Sequence, residues 1–170
     1  IVRVKTLISI NYSIMNDRIE AGTFCVAACL NQGNLKIKNF DPKIINTELN
    51  LLKKIGAKIQ ITNHTIGVKG PKKIKSLDIL KTGEYPGFPT DMQAQFMVLL
   101  AKANGKSVIQ ENIFENRFMH APELVRMGAK INVEGGTATV QGVNKLKGAP
   151  VMATDLRASV SLILAGLAAE

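Results

Sequence analysis

The sequence has few of the residues on which several common functions depend. It contains no tryptophan and 5% aromatic residues, and its densest basic run, residues 69–75 (KGPKKIK), has no aromatic residue within it. Aromatic side chains are the surfaces on which single-stranded nucleic acids stack, so a solvated connector is the favoured interpretation of this run and we expect no nucleic-acid partner. The net charge of +9 still allows a phosphate-bearing small molecule.

Long apolar runs are also missing. No segment approaches the roughly 20 uncharged residues that cross a bilayer, and the first residues lack the basic and then apolar pattern of a signal peptide. We therefore expect a cytoplasmic protein with no membrane partner. The chain starts with Ile1 and ends in AGLAAE, which suggests a piece of a longer polypeptide.

Only two cysteines are present, Cys25 and Cys29, four residues apart in an apolar helical stretch. This spacing places both on one helix face, and a core position is favoured. A metal site would need two more ligands, and neither His64 nor His120 has partners at ligand spacing. Helical geometry at this spacing also disfavours a disulfide.

An internal repeat is the strongest positive feature. An aspartate opens a predicted amphipathic helix at Asp17, Asp91 and Asp155, and the same GAKI segment occurs at residues 56–59 and 128–131. Each GAKI segment is followed by a glycine 14 residues after its first residue. Repetition at a fixed spacing indicates one supersecondary unit that is used more than once.

Hydrophobic patterning predicts a β-α-β-α-β-β order within one unit. In the first helix Asp17 and Glu20 form a capping box, and the predicted apolar stripe includes Phe24. The first unit is predicted to contain a strand at 12–15, a helix from 17, a strand near 35–40, a helix at 43–55 and hairpin arms at 58–62 and 65–69. The second is predicted to contain a helix at 95–102, a strand at 107–110, a helix at 121–127 and a hairpin turn at 134–137.

These elements predict a single α+β domain of repeated units, spanning about 12–70 and 84–142 with the start of a third at 151–170. Helices of several units must bury their apolar stripes against one another, so we expect helices inside and sheets outside. The second unit adds a loop at 111–120 (ENIFENRFMH), and polar loops of this kind often carry function. Residues 104–107 (NGKS) are not a P-loop, since they precede a strand and lack the upstream glycine.

Four segments resemble one enzyme family: residues 17–24 (DRIEAGTF), 88–96 (FPTDMQAQF), 114–120 (FENRFMH) and 153–159 (ATDLRAS). In this order they closely resemble the UDP-N-acetylglucosamine enolpyruvyl transferases (1-carboxyvinyltransferases). The resemblance implies one of two similar domains in an inside-out α/β barrel, with substrates held between the domains. It implies transfer of the enolpyruvyl group of phosphoenolpyruvate to the 3-hydroxyl of UDP-N-acetylglucosamine, with release of phosphate, and no cofactor. This reaction is the first committed step of peptidoglycan synthesis.

The resemblance also implies roles for residues of the second unit. Asp91 matches the aspartate that touches the sugar hydroxyl and transfers protons, and Ile113 matches the position whose backbone contacts the nucleotide-sugar. Phe114, in the same loop, would border the pocket. The residues alone leave two alternatives open, a plain N-cap for Asp91 and a hydrophobic strand end for Ile113.

Three further residues match segments near the anionic substrate groups. Arg117 would border the pocket and could bind a phosphate or carboxylate, and a surface salt bridge with Glu115 or Glu123 is the alternative. Asp155 and Arg157 match the segment near phosphoenolpyruvate, where Arg157 would stabilise developing charge. The alternative there is an N-cap followed by a solvated helix residue.

Several parts of the family's pattern have no match in this sequence. These are the mobile loop with a reactive cysteine, a Lys-Asn pair and a further arginine that binds phosphoenolpyruvate. Cys25 and Cys29 cannot replace the reactive cysteine, because no basic neighbour would lower their pKa. We therefore expect a second domain of the same polypeptide as a partner, and we expect these 170 residues to be inactive alone.

Two competing functions remain. The shikimate-pathway enolpyruvyl transferase shares the fold and the reaction, but residues 116–120 (NRFMH) argue against it. A non-catalytic RNA-binding module of the same topology would need aromatic residues on an exposed sheet face, and the aromatic content is low.

Overall fold

The computed structural model describes residues 8–153 and 155–170, so Thr154 of the fourth motif lies outside the described residues. Its elements form two units of similar topology and the first helix of a third. The first unit contains α1 (Arg18–Leu30), β1 (Asn34–Lys38), α2 (Asn46–Lys54), β2 (Lys58–Thr62) and β3 (Thr65–Lys69). The second contains β4 (Ile79–Lys81), α3 (Gln93–Ala101), β5 (Lys106–Gln110), α4 (Ala121–Arg126), β6 (Lys130–Glu134) and β7 (Thr137–Gln141), and α5 (Leu156–Leu167) follows. Short 3-10 helices at Pro42–Ile45 and Thr90–Met92 precede α2 and α3.

The two sheets share one antiparallel arrangement. The first has the order β1-β3-β2, and β5-β7-β6 of the second repeats it, with Lys38 opposite Thr65 and Gln110 opposite Thr137. Strand β4 adds a parallel neighbour to β5. Both predicted hairpins are confirmed. The fold is therefore α+β with mixed strand pairing, as the sequence predicts.

The helices lie inside and the sheets outside. Every residue of α3 is buried, and this helix packs against α1, α5 and the strands β5 and β7. Its sequence, QAQFMVLLA, has no charged face, as expected for a helix that is enclosed on all sides. In β3, buried Ile66 and Val68 alternate with more exposed neighbours, so one face of the sheet covers the core.

One local prediction is wrong at the start of the first unit. Residues 12–15 form no strand, and Ile14 is 90% exposed. Alternating apolar residues fix only which side chains share a face, whereas a strand also needs a neighbouring edge, and β1 pairs with β3 alone. In the second unit β4 occupies this position beside β5.

The buried face of α1 also differs from the predicted stripe. Phe24 is 55% exposed, while Cys25 and Cys29 are fully buried, which confirms their core position. The helix approaches its neighbour through a small residue, since a Cβ on Gly22 would lie 2.9 Å from Met92 Cε. Phe24, two residues after Gly22, lies on the opposite side of the helix and therefore faces outward. Burial raises the pKa of each of the two thiols to about 12, so both stay protonated and unreactive.

The repeated glycines correspond to repeated close contacts. A Cβ on Gly70 would lie 2.3 Å from the carbonyl oxygen of Ala28, and one on Gly142 would lie 1.6 Å from that of Ala103. At Gly70 the close neighbour is the last turn of α1, and at Gly142 it is the turn that follows α3. Each glycine also donates its N–H to a glycine carbonyl oxygen, Gly70 to that of Gly33 and Gly142 to that of Gly105. The equal spacing in the sequence therefore reflects one backbone hydrogen bond that is made twice.

His120, which precedes α4, is the buried histidine of the second unit. It is 3% exposed, and its Nε2 atom has no hydrogen-bond partner among the described residues. Burial lowers its pKa to about 4; the charge of Asp155 opposes this shift and that of Arg117 adds to it. The folded protein therefore keeps His120 neutral at physiological pH.

We predict that Gly142→Ala destabilises the protein by more than about 3 kcal/mol, because the added methyl group would overlap the Ala103 carbonyl and force the end of β7 away from the turn that follows α3. Urea unfolding measures this loss. Gly166→Ala is the matched control, since nothing lies within 4 Å of its Cβ position in α5 and alanine favours a helix. Equal stability of the Gly142→Ala variant and the wild type would contradict the proposed contact.

We also predict that His120 makes stability depend on pH. The unfolded chain binds a proton at this residue below about pH 6.5, whereas the folded protein does so only near pH 4. The free energy of unfolding should therefore fall as the pH decreases from 6.5 to 4, by on the order of 3 kcal/mol from this group. Unfolding curves of His120→Leu should show a shallower slope in this range, and exposed His64→Leu should keep the wild-type slope.

Candidate active site

The three repeated aspartates have different contacts. Asp17 accepts hydrogen bonds from the N–H groups of Ile19 and Glu20, and Asp155 accepts them from those of Arg157 and Ala158. Both are therefore N-caps. Asp91 lies within the 3-10 helix that leads into α3, and its carboxylate binds two arginines. The N-cap alternative is wrong for Asp91, which differs from the other two in its chemistry.

Asp91 joins the loop at 111–120 to helix α5. Its Oδ1 atom is 2.6 Å from Arg117 Nη2 and 2.5 Å from Arg157 Nε, and its Oδ2 atom is 3.5 Å from Arg157 Nη2. Arg117 does not form the surface pair with Glu115 or Glu123 that was the alternative; Glu123 contacts Arg126. Three of the four motif segments thus meet at one carboxylate.

The loop that carries Arg117 also places Ile113 and Phe114. The guanidinium of Arg117 lies 4.7 Å from the centre of the Phe114 ring, which packs beneath it as a cation–π partner. Ile113 is 37% exposed, and its N–H donates to Glu111 Oε1 at 2.9 Å. Residues 111–116 line an open cavity of about 440 Å³ together with Gly135 and Gly136.

Local hydrogen bonds and charges act on Asp155. The N–H of Ala158 lowers the pKa of this carboxyl most, while partial burial opposes the shift. The N–H of Arg157 and the charges of Arg157 and Arg117 lower that pKa further. Asp155 is therefore ionised at physiological pH and fixes the first turn of α5, from which Arg157 extends toward Asp91.

The cluster of Asp91, Arg117 and Arg157 has one negative and two positive charges, and the ionised Asp155 interacts with both arginines. The side chains of Arg117 and Arg157 are 20% and 43% exposed, so both guanidinium groups are accessible to a ligand. Guanidinium groups bind phosphates and carboxylates through paired hydrogen bonds. Asp91, whose side chain is 34% exposed, can accept a proton from a ligand hydroxyl group within hydrogen-bonding distance.

Sequence reasoning missed the polar contacts that support this cluster. Glu111 accepts hydrogen bonds from Thr82 and Thr90 as well as from the loop backbone. A glutamate directly after a buried strand could have indicated such a role, but its hydrogen-bond partners Thr82 and Thr90 are distant in the sequence.

Among residues 8–153 and 155–170, no group of three His, Cys, Asp or Glu side chains is placed to hold a metal ion. In the same part of the chain, no helix combines the length and the apolar character that crossing a membrane requires.

Relatives that share one name match almost the whole chain. The proteins named UDP-N-acetylglucosamine 1-carboxyvinyltransferase from Pelagibacter ubique and Geobacter metallireducens are 60% and 56% identical to this chain, over 98% and 100% of its length. The chain spans about 40% of the length of these relatives. The resemblance that the four motifs indicated is confirmed.

Solved structures agree on the fold. The enolpyruvyl transferase NikO from Streptomyces tendae superposes with a TM-score of 0.79 at 28% identity, covering 92% of this chain and 37% of NikO. An EPSP synthase from Acinetobacter baumannii gives a TM-score of 0.70 at 19% identity, covering 94% of this chain and 38% of that structure, and this likeness shows the fold alone. The family model described as EPSP synthase (3-phosphoshikimate 1-carboxyvinyltransferase) matches residues 2–170. This chain therefore belongs to the EPSP synthase family, and its fold is that of the enolpyruvyl transferases.

Proposed function

We propose that the chain is part of a UDP-N-acetylglucosamine 1-carboxyvinyltransferase, which transfers the enolpyruvyl group of phosphoenolpyruvate to the 3-hydroxyl of the amino sugar and releases phosphate. The observation that carries the proposal is the meeting of Asp91, Arg117 and Arg157 in one accessible cluster. The high identity to relatives with that name supports the choice of acceptor.

The chemistry of the reaction suits this cluster. In the addition step, the sugar oxygen bonds to C2 of phosphoenolpyruvate, the hydroxyl loses its proton and C3 gains one. In the elimination step, phosphate leaves C2 and C3 loses a proton, which restores the double bond. Asp91 would accept the hydroxyl proton as a general base. Arg117 and Arg157 would bind the carboxylate or the phosphate and stabilise the charge that develops as phosphate leaves.

Ile113 and Phe114 would border the same pocket. The N–H of Ile113 is already bound to Glu111, so a backbone contact with the nucleotide-sugar would use the carbonyl oxygen of Ile113. The side chain of Phe114 supports the guanidinium of Arg117 and is half exposed beside it. Asp155 would act through Arg157, whose helix turn it caps.

The wider setting follows from the same proposal. The described units would belong to a single domain, and a second domain of the same polypeptide would close over the substrates and supply the groups that this chain lacks. The share of about 40% that the chain covers in its relatives supports this arrangement. The reaction would serve peptidoglycan synthesis in the cytoplasm and would need no cofactor.

The first test is phosphate release from phosphoenolpyruvate by the full-length polypeptide that contains this chain. We expect release with UDP-N-acetylglucosamine and none with shikimate 3-phosphate. The 170-residue chain alone should release no phosphate with either acceptor. Release with shikimate 3-phosphate alone would replace the proposed acceptor, and release with neither would remove the proposed reaction.

A second prediction separates the repeated aspartates. Asp91→Asn should lower kcat by about 100-fold or more, because the amide cannot accept the hydroxyl proton. Asp17→Asn is the matched control from the first unit, where asparagine can still cap α1. Steady-state kinetics of both full-length variants, with their unfolding midpoints, would show the difference. Equal activity of the two variants would exclude a specific role of Asp91 in proton transfer.

A further inference from the structure

Glu111 has an unusual environment for a charged side chain. It directly follows β5, is 7% exposed, and donates its N–H to the Gly136 carbonyl oxygen. Removing a carboxylate from water is unfavourable unless hydrogen bonds replace those to water. Four donors supply these bonds, from three separate segments of the chain.

The donors come from the residue after β4, from the residue before Asp91 and from the loop that carries Arg117. Glu111 Oε1 accepts from the Thr82 hydroxyl at 2.8 Å and from the N–H groups of Ile113 and Phe114 at 2.9 and 3.2 Å. Glu111 Oε2 accepts from the Thr90 hydroxyl at 2.8 Å. One carboxylate therefore ties the residue before Asp91 to the loop that carries Arg117.

These bonds complete a ring of contacts around the cluster. Arg117 binds Asp91 directly, Asp91 is covalently linked to Thr90, and Thr90 binds Glu111. Glu111 in turn holds the start of the loop that leads back to Arg117. A ring of this kind fixes the distance between the carboxylate of Asp91 and the guanidinium of Arg117 from both ends.

The first unit shows that the fold does not need a carboxylate at this position. There Phe40 donates its N–H to the His64 carbonyl oxygen, as Glu111 does to that of Gly136, and both acceptors immediately precede the central hairpin strand. Phe40 is 3% exposed. By strand register Asn39 is the counterpart of Glu111, and Phe40, one residue later, makes the counterpart hydrogen bond. Neither residue has a carboxylate, and the aspartate of this unit, Asp17, is only an N-cap.

We infer that Glu111 is a positioning residue, which holds Asp91, Arg117 and the backbone of Ile113 in the geometry required for enolpyruvyl transfer. The inference rests on the proposed function. Glu111 touches no substrate in this role and acts through Thr90 and through the N–H groups of the loop.

The test compares Glu111→Gln with Glu111→Met in the full-length polypeptide. Glutamine keeps one oxygen for the N–H groups of Ile113 and Phe114, and its amide group can donate to the Thr90 hydroxyl, which both donates and accepts. Methionine keeps a similar volume but removes the acceptors. We expect Glu111→Gln to stay within several-fold of the wild-type kcat/KM and Glu111→Met to lose about 100-fold, since a shift of about 1 Å in an active site has that effect.

A matched control removes a buried glutamate elsewhere. Glu48 on α2 is 1% exposed and its Oε1 atom has no hydrogen-bond partner among the described residues, so Glu48→Met should leave kcat nearly unchanged. Thr90→Val removes only the bond from Glu111 to the residue before Asp91 and should lower kcat more than it raises KM for the nucleotide-sugar. That variant decides the question if Glu111→Met does not fold.

Amide hydrogen exchange gives a readout that needs no substrate. Ile113 and Phe114 should lose protection in Glu111→Met and keep it in Glu111→Gln. Wild-type kcat/KM in a folded Glu111→Met, or equal losses in both Glu111 variants, would overturn the inference. Absence of turnover in the wild type would instead remove the proposed function, and unchanged exchange at both amides would by itself overturn the role of Glu111.

Discussion

Helix α3 is enclosed on every side by α1, α5 and the strands β5 and β7, and this constraint fixes the position of Asp91. A helix without an exposed face cannot rotate or slide without opening voids in a close-packed interior. The 3-10 turn that starts it is therefore held as firmly as the core. Asp91 lies at the surface in that turn. Because α5 packs against α3, Arg157 of α5 lies close enough to bind the Asp91 carboxylate.

The repeated unit supplies the scaffold, and local departures from the repeat supply the chemistry. Both units have the same sheet register, and Gly70 and Gly142 make the same backbone hydrogen bond in each. They differ where the second unit carries the cluster. Phe40 in the first unit makes the backbone hydrogen bond that Glu111 makes in the second, but its side chain is apolar and buried, whereas that of Glu111 accepts several hydrogen bonds.

The buried titratable groups differ in charge from those of the candidate active site. The thiols of Cys25 and Cys29 and the imidazole of His120 are buried and neutral, so these three groups add no charge to the core. The accessible cluster instead presents the guanidinium groups of Arg117 and Arg157 beside the carboxylates of Asp91 and Asp155. Phosphoenolpyruvate and a nucleotide-sugar, the substrates that we propose, are both anions and would bind these guanidinium groups through paired hydrogen bonds.

The sequence by itself determined the repeated unit, the hairpins, the inward helices and the family, because periodicity, turn residues and motif spacing are local properties of the chain. It also identified Asp91, Arg117 and Arg157 as candidates. Only the tertiary structure decided that Asp91 binds two arginines while Asp17 and Asp155 cap helices, that residues 12–15 form no strand, and that Phe24 faces outward. Each of these depends on neighbours tens of residues away, such as Arg117 for Asp91 and Met92 for Gly22, and sequence patterns carry no record of such contacts.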